Sequence, residues 1–392
     1  MIFTVSTVKD SLANVAAFCQ RNLGSGADHL FIFLDGPDAE VEAYLAAHPQ
    51  VTMVVTDSAY WTPSRPQSLN VRQVTNANLA MHALAALPGE HWLFHIDADE
   101  VVQIDREQFD QLQAGIRVAR LAPLEAISQF TWPGEVTHFK RMLARPQINE
   151  LVSAGIIDQP EPDEPANATY FRGHVQGKVG VRPNLDIRMQ LHRAVFTTQS
   201  GDDEVIKPFD APWLNQLHYE SHSGEEFVRK WMAHLGAGEV RFRARRNRLS
   251  DRIRAVMADP GLDEAGRREQ LRELYHEQIE DDFNSLLQRD LLVEPMPRTH
   301  QPASLPSAES ELLAGVLALL VASDKRYANP QESQLWPQDG FAELVDSAPN
   351  DEVRRGLQRA IEAAEDSQSA RGLVRRTAVN RRAGLLSRLR RK

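Results

Sequence analysis

The sequence predicts an α/β fold, in which a mainly parallel central sheet is flanked by helices and followed by a helical C-terminal region. In the first hundred residues, short apolar runs alternate with helical patterns. Such alternation is typical of parallel strands that are joined by right-handed crossovers. From residue 224 onward the pattern is helical. A chain of 392 residues is usually too long to fold around a single hydrophobic core. This length favours a division into a sheet-containing part and a helical part.

The predicted parallel strands are four apolar runs. The first is rich in β-branched and aromatic residues, and the others are continuous enough to be buried on both faces. These strands are predicted at residues 2–7, 29–34, 51–56 and 91–96. Helices are predicted between them at 12–23, with Ser11 as the cap, and at 39–48 and 71–87.

The rest of the chain is predicted to divide into four parts. A first domain at 1–240 also includes strands at 118–130, 177–183 and 190–196. A helical extension follows at 241–293, with a long charged helix from residue 264. A segment rich in proline and serine at 294–307 is predicted to be a linker. The C-terminal region, 308–392, contains predicted helices at 309–322, 351–364 and 371–391.

Composition excludes several classes of protein. The single cysteine, Cys19, excludes internal disulfides and cysteine-based metal sites. No run reaches the roughly 18 apolar residues that span a bilayer. The N-terminus lacks the basic and apolar regions of a secretory signal. We therefore expect a cytoplasmic protein.

A basic tail contrasts with the net charge of −10, because residues 371–392 contain nine basic residues and no acidic one. With its leucines, the tail is suited to peripheral contact with the anionic inner face of a membrane. A solvated helix tied to the acidic body is the alternative, and the sequence favours it slightly. Nucleic acid is a weaker one, and no nucleic-acid partner is expected.

An acidic cluster follows the last predicted parallel strand, where Asp97, Asp99 and Glu100 come directly after the run at 91–96. Ligands of open α/β sheets bind outside the carboxyl ends of the strands. On an extended backbone, Asp97 and Asp99 would point to the same side. Carboxylates bind hard ions such as Mg²⁺ and Mn²⁺, which leave coordination sites to a substrate phosphate. Alternatively, the acids occupy the first turn of a helix.

Several blocks in fixed order resemble the family-2-like glycosyltransferases of the GT-A fold, in particular a branch with a D-x-D-E motif. They are LGSGADHLFIFLDGPD (23–38), NVRQVTNANLA (70–80), HWLFHIDADE (91–100), FRGHVQGKVGVRP (171–183) and LNQLHYESHSGEEFVRKW (214–231). The resemblance implies a GT-A-like domain that moves a sugar from a nucleotide-sugar donor to a glycan or lipid-linked acceptor. It also implies inversion at the anomeric carbon and a divalent metal, Mn²⁺ or Mg²⁺.

The resemblance implies roles for the residues of these blocks. Asp97, Asp99 and His218 are predicted as metal ligands, Asp97 also contacts the donor, and Asp99 and Glu100 are predicted as catalytic. Further contacts with the nucleotide sugar are predicted for Asp35, Arg72, Gln73, Asn76, Lys178 and Arg182. A contact is also predicted for Lys9, because it ends the first predicted strand at the same edge. The alternatives are structural, because Asp35 precedes a glycine in a typical turn and the others can cap helices or face solvent.

Inversion requires a general base that removes the acceptor proton. Besides Glu100, the candidates are Glu125, Asp202, Asp203 and Glu225, and the sequence leaves the choice open. Two other functions stay open as well. One is a metal-dependent phosphoester or nucleotide hydrolase that uses the same carboxylates. The other is a non-catalytic carbohydrate-binding scaffold with the same fold.

Overall fold

The computed structural model describes residues 1–132, 134–197, 203–234, 244–332 and 335–389, with side chains as far as Arg371 except at 230, 232–234 and 244–247. The predicted combination of strands and helices is confirmed as a mixed α/β fold. Asp202, a candidate base, lies outside the described residues. So do the basic side chains of the tail beyond Arg371.

The four predicted apolar runs form neighbouring parallel strands. They are β1 (Ile2–Val8), β2 (His29–Leu34), β3 (Val51–Val55) and β4 (Trp92–His95). Their order in the sheet is β3-β2-β1-β4. The order reverses at β1, because the chain first moves outward to β3 and then returns to place β4 on the other side of β1. In open α/β sheets the crevice at such a reversal is where ligands bind.

The rest of the sheet is not parallel. Its strands are β5 (Glu100–Ile104), β6 (Val118–Ala126), β7 (Phe139–Lys140), β8 (Lys178–Val181), β12 (Phe209–His218) and β13 (Leu292–Val293). β8 lies antiparallel between β4 and β6, and β12 runs parallel to β6 but antiparallel to β5. The sheet is therefore mixed, and the mainly parallel sheet that we predicted is not confirmed.

A small second sheet is antiparallel. It contains β9 (Ile187–Met189), β10 (Ala194–Phe196) and β11 (Glu204–Val205). Asn78 connects β9 to the main body, since its side-chain amide donates to the Met189 carbonyl at 3.1 Å and accepts from the Met189 N–H at 2.8 Å. The small sheet is thus anchored to the helix that carries Asn78.

Helices cover both faces of the main sheet. In the first 234 residues they are α1 (Leu12–Gly24), α2 (Ala39–Ala46), α3 (Leu69–Ala85), α4 (Arg106–Phe109), α5 (Arg145–Ser153) and α6 (Gly224–His234). The predicted cap is confirmed, because the Ser11 hydroxyl accepts from the Asn14 N–H. α3 is buried along most of its length and packs against β1.

The C-terminal helices differ from the prediction in their bounds. They are α7 (Ala244–Ala258), α8 (Glu264–Gln278), α9 (Phe283–Gln288), α10 (Ser307–Ala322), α11 (Pro337–Val345) and α12 (Asp351–Leu389), with a 3₁₀ turn at Lys325–Tyr327. The charged stretch from residue 264 is divided between α8 and α9. The two helices that we predicted after residue 351 are one continuous helix.

α10 and α12 complete the core of the N-terminal sheet. α10 packs against α3 and α12. One apolar cluster contains Val5 of β1, Leu84 of α3, Val316 of α10 and Leu357 of α12. No helix in the described ranges is both long and apolar enough to cross a membrane. The leucine-rich run of α10 is instead an internal helix, because Leu312, Val316 and Leu317 of that run are buried.

A buried histidine of α3 should make the fold sensitive to acid. Burial lowers the pKa of His82 to about 3, and the charge of Arg188 adds to the effect. The unfolded chain takes up this proton near the ordinary histidine pKa of 6.5, whereas the folded protein takes it up only near pH 3. Stability from neutral His82 is therefore present above pH 6.5 and is lost as the pH falls toward 3.

We expect the His82→Leu substitution to reduce this sensitivity. Between pH 7 and pH 5, the unfolding free energy of the wild type should fall by roughly 2 kcal/mol more than that of the variant. Urea denaturation at each pH measures the difference. His48→Leu, at a half-buried position two residues after α2, is the control and should behave like the wild type. Identical pH dependence in wild type and His82→Leu would contradict the prediction.

Candidate active site at the carboxyl edge of β4

The acidic cluster forms a tight turn between two strands. The backbone N–H of Glu100 donates to the Asp97 carbonyl at 3.1 Å, and the Asp97 N–H donates to Glu100 Oε2 at 2.8 Å. β5 begins at Glu100. The alternative in which these acids begin a helix is therefore wrong. The extended backbone expected for residues 97–99 is likewise replaced by a turn.

Asp97 is held by one cation and one amide. Lys178 Nζ donates to Asp97 Oδ2 at 2.7 Å, and Gln73 Nε2 donates to Asp97 Oδ1 at 2.9 Å. Lys178 is the first residue of β8, which neighbours β4, and only 1% of it is exposed. Burial alone would lower the pKa of Lys178, but the charges of Asp97 and Glu100 raise it above the ordinary value. Lys178 is therefore a buried ammonium at the crevice.

Glu100 is fully buried and is engaged through both carboxylate oxygens. Its Oε1 accepts from Gln216 Nε2 at 2.8 Å and lies 2.7 Å from His174 Nε2. Its Oε2 accepts from the Asp97 N–H and lies 3.8 Å from Lys178 Nζ. Burial alone would raise its pKa, but Lys178 and His174 outweigh burial and hold the pKa of Glu100 well below its usual range. This environment favours a positioning role over the role of base.

Asp99 faces the end of β12. His218 Nε2 lies 3.8 Å from Asp99 Oδ1 and 3.3 Å from Glu220 Oε2. The backbone carbonyl of Asp99 accepts from the Tyr219 N–H at 2.9 Å. Burial alone would lower the pKa of His218, but the carboxylates of Asp99 and Glu220 beside it hold the pKa well above the ordinary value. Two of the predicted metal ligands, Asp99 and His218, are thus brought together.

Three histidine rings lie close together beside the acids. The His174 ring lies 4.6 Å from the His192 ring and 5.0 Å from the His218 ring, measured between centroids. His192 Nδ1 lies 2.8 Å from the Gly177 carbonyl oxygen. Nδ1 of His174 and of His218 is buried without a hydrogen-bond partner. Sequence reasoning missed His174 and Glu220, although both lie in blocks that carried the family resemblance.

A buried ion network holds the loop before His174. Glu125 accepts from the Arg172 N–H at 2.7 Å and from the Gly173 N–H at 2.6 Å, and Lys140 Nζ lies 2.9 Å from its Oε1. Lys140 also lies 2.9 Å from Asp281, which binds the Arg172 guanidinium at 3.0 Å. Only 1% of Glu125 is exposed. Its surroundings support a structural role rather than that of a base.

Asp35 and Arg72, both predicted to bind the nucleotide, bind one another. Arg72 donates to both Asp35 oxygens, at 3.1 and 2.9 Å, and to two backbone carbonyls of the preceding loop. The partly exposed Arg65 also donates to Asp35 at 2.8 Å. Asn76 is buried between the Tyr60 hydroxyl at 2.6 Å and the Thr7 hydroxyl at 2.8 Å. These groups join α3 to the carboxyl ends of β1 and β2.

Arg182 lies at the opposite edge of the sheet. β8 is antiparallel to β4, so Lys178 lies near the carboxyl end of β4 whereas Arg182 lies near its start. There Arg182 is 5.0 Å from the Trp92 ring and binds the Glu90 carboxylate. The prediction that Arg182 reaches the donor diphosphate is therefore not supported by its position.

The remaining predicted residues are Lys9, Glu225 and Asp203. Lys9 is exposed after β1. Glu225 is exposed in the first turn of α6. Asp203 lies next to the small sheet, where its carboxylate is 3.5 Å from Gln190 Nε2. No role as base follows from these placements for Glu225 or Asp203.

Comparison with known proteins adds no identification. The chain matches no protein-family profile, and no curated protein sequence matches it. A functional proposal therefore depends on the side chains of the site. Among the described side chains, two groups of three donors lie close enough to share a metal ion, with all donor atoms within 4.8 Å. The groups are Glu100, His174 and His218, and Asp99, His218 and Glu220.

Proposed function

We propose that this protein is a metal-assisted glycosyltransferase that moves a sugar from a nucleotide-sugar donor to a glycan or lipid-linked acceptor, with inversion. The observation that carries the proposal is the position of the acids. Asp97 and Asp99 directly follow β4, at the point where the strand order reverses between β1 and β4. This is the crevice in which open α/β sheets bind nucleotides.

We also propose that the first 240 residues have a GT-A-like fold. The parallel order β3-β2-β1-β4 supports this proposal, because doubly wound sheets that bind nucleotides contain the same strand order. The family resemblance of the blocks at 70–80, 91–100 and 214–231 is independent support. Each of these blocks contributes a side chain to the site, namely Gln73, Asp97 and His218.

The side chains present fit a divalent ion. Asp99 and His218 approach one another, and the imidazole is buried while 30% of the Asp99 side chain is exposed. An ion bound here would neutralise the negative charge that accumulates on a leaving diphosphate. One imidazole among carboxylates suits Mn²⁺ better than Mg²⁺. We therefore propose two ligands for this ion, namely Asp99, which follows β4, and His218, which ends β12.

The other residues would bind and orient the donor. Lys178 supplies a fixed positive charge at the crevice and is suited to a phosphate oxygen. Gln73 and Lys178 hold the Asp97 carboxylate in one orientation. Glu100 supports the turn through the Asp97 N–H and restrains His174. We propose that Glu100 acts by positioning these groups and that another group removes the acceptor proton.

Donor binding tests the proposal directly. We expect one of a panel of UDP- and GDP-sugars, with Mn²⁺ present, to raise the unfolding temperature of the protein, because a ligand of the native state stabilises it. Donor at 100 times its dissociation constant adds about 2.7 kcal/mol. Asp99→Asn should remove the shift, and Asp57→Asn, at an exposed position after β3, should keep it.

Three outcomes would reject the proposal or favour an alternative. The absence of any shift with every donor and with Mn²⁺ would contradict it. Release of phosphate from simple esters would favour the hydrolase, and binding of glycans without metal or nucleotide would favour the scaffold. Chromatography of the products with a glycan acceptor then distinguishes transfer from donor hydrolysis.

We further propose that the basic tail contacts anionic membranes from the cytoplasmic side. Its positive charge and its leucines support this proposal. Co-sedimentation with vesicles that contain phosphatidylserine should fall when the tail is removed after Arg371 and when salt is raised. Equal binding by the truncated chain would contradict the proposal.

A further inference from the structure

We propose that this protein holds its divalent cation through Asp99, His218 and Glu220, and that the carboxylate of Asp97 lies outside the ligand set. The chemical role of the ion rests on the proposed function. Binding of the ion does not, because it can be measured without any donor. It adds Glu220, which was not among the predicted ligands, and it removes Asp97, which was.

The geometry of the three donors fits one ion. His218 Nε2 lies 3.3 Å from Glu220 Oε2 and 3.8 Å from Asp99 Oδ1. All three donor atoms lie within 4.8 Å of one another. Ligands that bind an ion at about 2.0–2.2 Å lie roughly 3.0–3.6 Å apart around it. Small side-chain movements therefore bring the three atoms to coordination distance.

Backbone structure fixes two of these ligands relative to one another. His218 is the last residue of β12, and Glu220 follows it by two residues, with its Oε2 3.3 Å from His218 Nε2. Asp99 is joined to the same segment, because its carbonyl accepts from the Tyr219 N–H. The three ligands are thus carried by one pair of neighbouring chain segments.

Asp97 is already occupied by other partners. Its Oδ2 accepts from Lys178 and its Oδ1 from Gln73, so each oxygen has a donor at 2.9 Å or less. An ion at Asp97 would lie beside the ammonium of Lys178 and be repelled by it. Neither group of potential ligands in the described part of the chain includes Asp97.

The second group of donors is less suitable for the ion. Glu100 is fully buried, and its oxygens are engaged by Gln216, His174 and the Asp97 N–H. Lys178 Nζ lies 3.8 Å from its Oε2. A cation there would have to replace several hydrogen bonds of Glu100. Asp99, by contrast, has a partly exposed side chain through which an ion and a substrate can approach.

The ligand set predicts which ions bind. Two carboxylates supply the charge that balances a divalent cation, and the imidazole nitrogen favours Mn²⁺ and other transition ions over Mg²⁺ and Ca²⁺. Three protein ligands leave coordination positions for water or for oxygen atoms of a substrate. We therefore expect Mn²⁺ to bind the full-length protein in the absence of any nucleotide.

The test is a calorimetric titration of the full chain with Mn²⁺ alone. We expect one site in the wild type and at least a tenfold higher dissociation constant in Glu220→Gln and Asp99→Asn. Asp97→Asn should stay within about threefold of the wild type, since Asp97 is not a ligand. Glu150→Gln, on the exposed face of α5, is the matched control and should bind like the wild type.

A change in folding is separated from a change in binding by measuring circular dichroism and thermal unfolding without metal. If Glu220→Gln does not fold, Glu220→Asp decides the question, because it keeps the charge but withdraws the carboxylate by one methylene. It should also weaken Mn²⁺ binding at least tenfold.

Other results would overturn the inference. They are the absence of Mn²⁺ binding in the wild type, unchanged affinity in the folded Glu220 variant, or a tenfold loss in Asp97→Asn. Failure of the proposed function is seen separately. Mn²⁺ binding that depends on Glu220, without binding of any nucleotide sugar, keeps the ligand set and rejects the transferase. If donor binding depends on metal but Asp97→Asn loses Mn²⁺, the transferase is kept and the ligand set is rejected.

Discussion

Lys178→Met is expected to destabilise the protein by about 3 kcal/mol or more, because it leaves a buried carboxylate without its cation. Lys178 and Glu100 are 1% and 0% exposed, and Lys178 also holds Asp97 at 2.7 Å. Methionine fills the space of the lysine stem but supplies no charge. Urea denaturation should show a lower midpoint with an unchanged slope.

A double-mutant cycle identifies the cause of this loss. When Glu100→Gln is combined with Lys178→Met, the total loss should be smaller than the sum of the single losses by about 1–3 kcal/mol, because no uncompensated charge remains at that position. Lys207→Met, at an exposed position, is the control and should change stability by less than about 0.5 kcal/mol. Additive losses in the cycle would show that the two charges do not interact.

Gly173→Ala is expected to disrupt the site, with a loss of roughly 100-fold in transfer activity, as a displacement of about 1 Å can cause. A Cβ atom at Gly173 would overlap His218 Cε1 and lie 2.7 Å from His218 Nδ1 and 3.1 Å from Glu125 Oε2. Glu125 is fixed by Lys140 and by two backbone N–H groups, so His218 is the group that must move.

The readout for Gly173→Ala includes Mn²⁺ affinity, which should fall together with transfer activity if His218 is a ligand. Gly115→Ala is the matched control, because a Cβ atom there has no neighbour within 4 Å. It should leave both properties unchanged. Normal Mn²⁺ affinity in a folded Gly173→Ala protein would show that His218 is not displaced or is not a ligand.

The parallel half of the sheet could be predicted because its strands are continuous apolar runs. β1 to β4 form as expected, and the acids after β4 lie at the predicted edge. The antiparallel half could not be predicted, since pairing direction depends on long-range contacts that no local pattern contains. This is why Lys178 reaches the site while Arg182, four residues later on an antiparallel strand, lies at the other edge.

The site was predictable where a residue directly follows a strand and less so where a loop supplies it. Asp97, Asp99 and His218 stand at strand ends, and the structure gathers them within one region. His174 lies in a loop whose shape is set by buried charges of distant segments, Glu125 among them. Glu220 did have a signal, because it stands two residues after His218 where β12 ends.

The packing of α10 and α12 on α3 has a consequence for how the chain is made. Domains generally fold from their N-terminal side during synthesis. Here the sheet and α3 leave the ribosome before the helices that complete their core, which begin at Ser307 and Asp351. The apolar surface around Leu84 therefore stays open to other chains until nearly the whole polypeptide has emerged. Any chain stopped before α10 would expose that surface permanently.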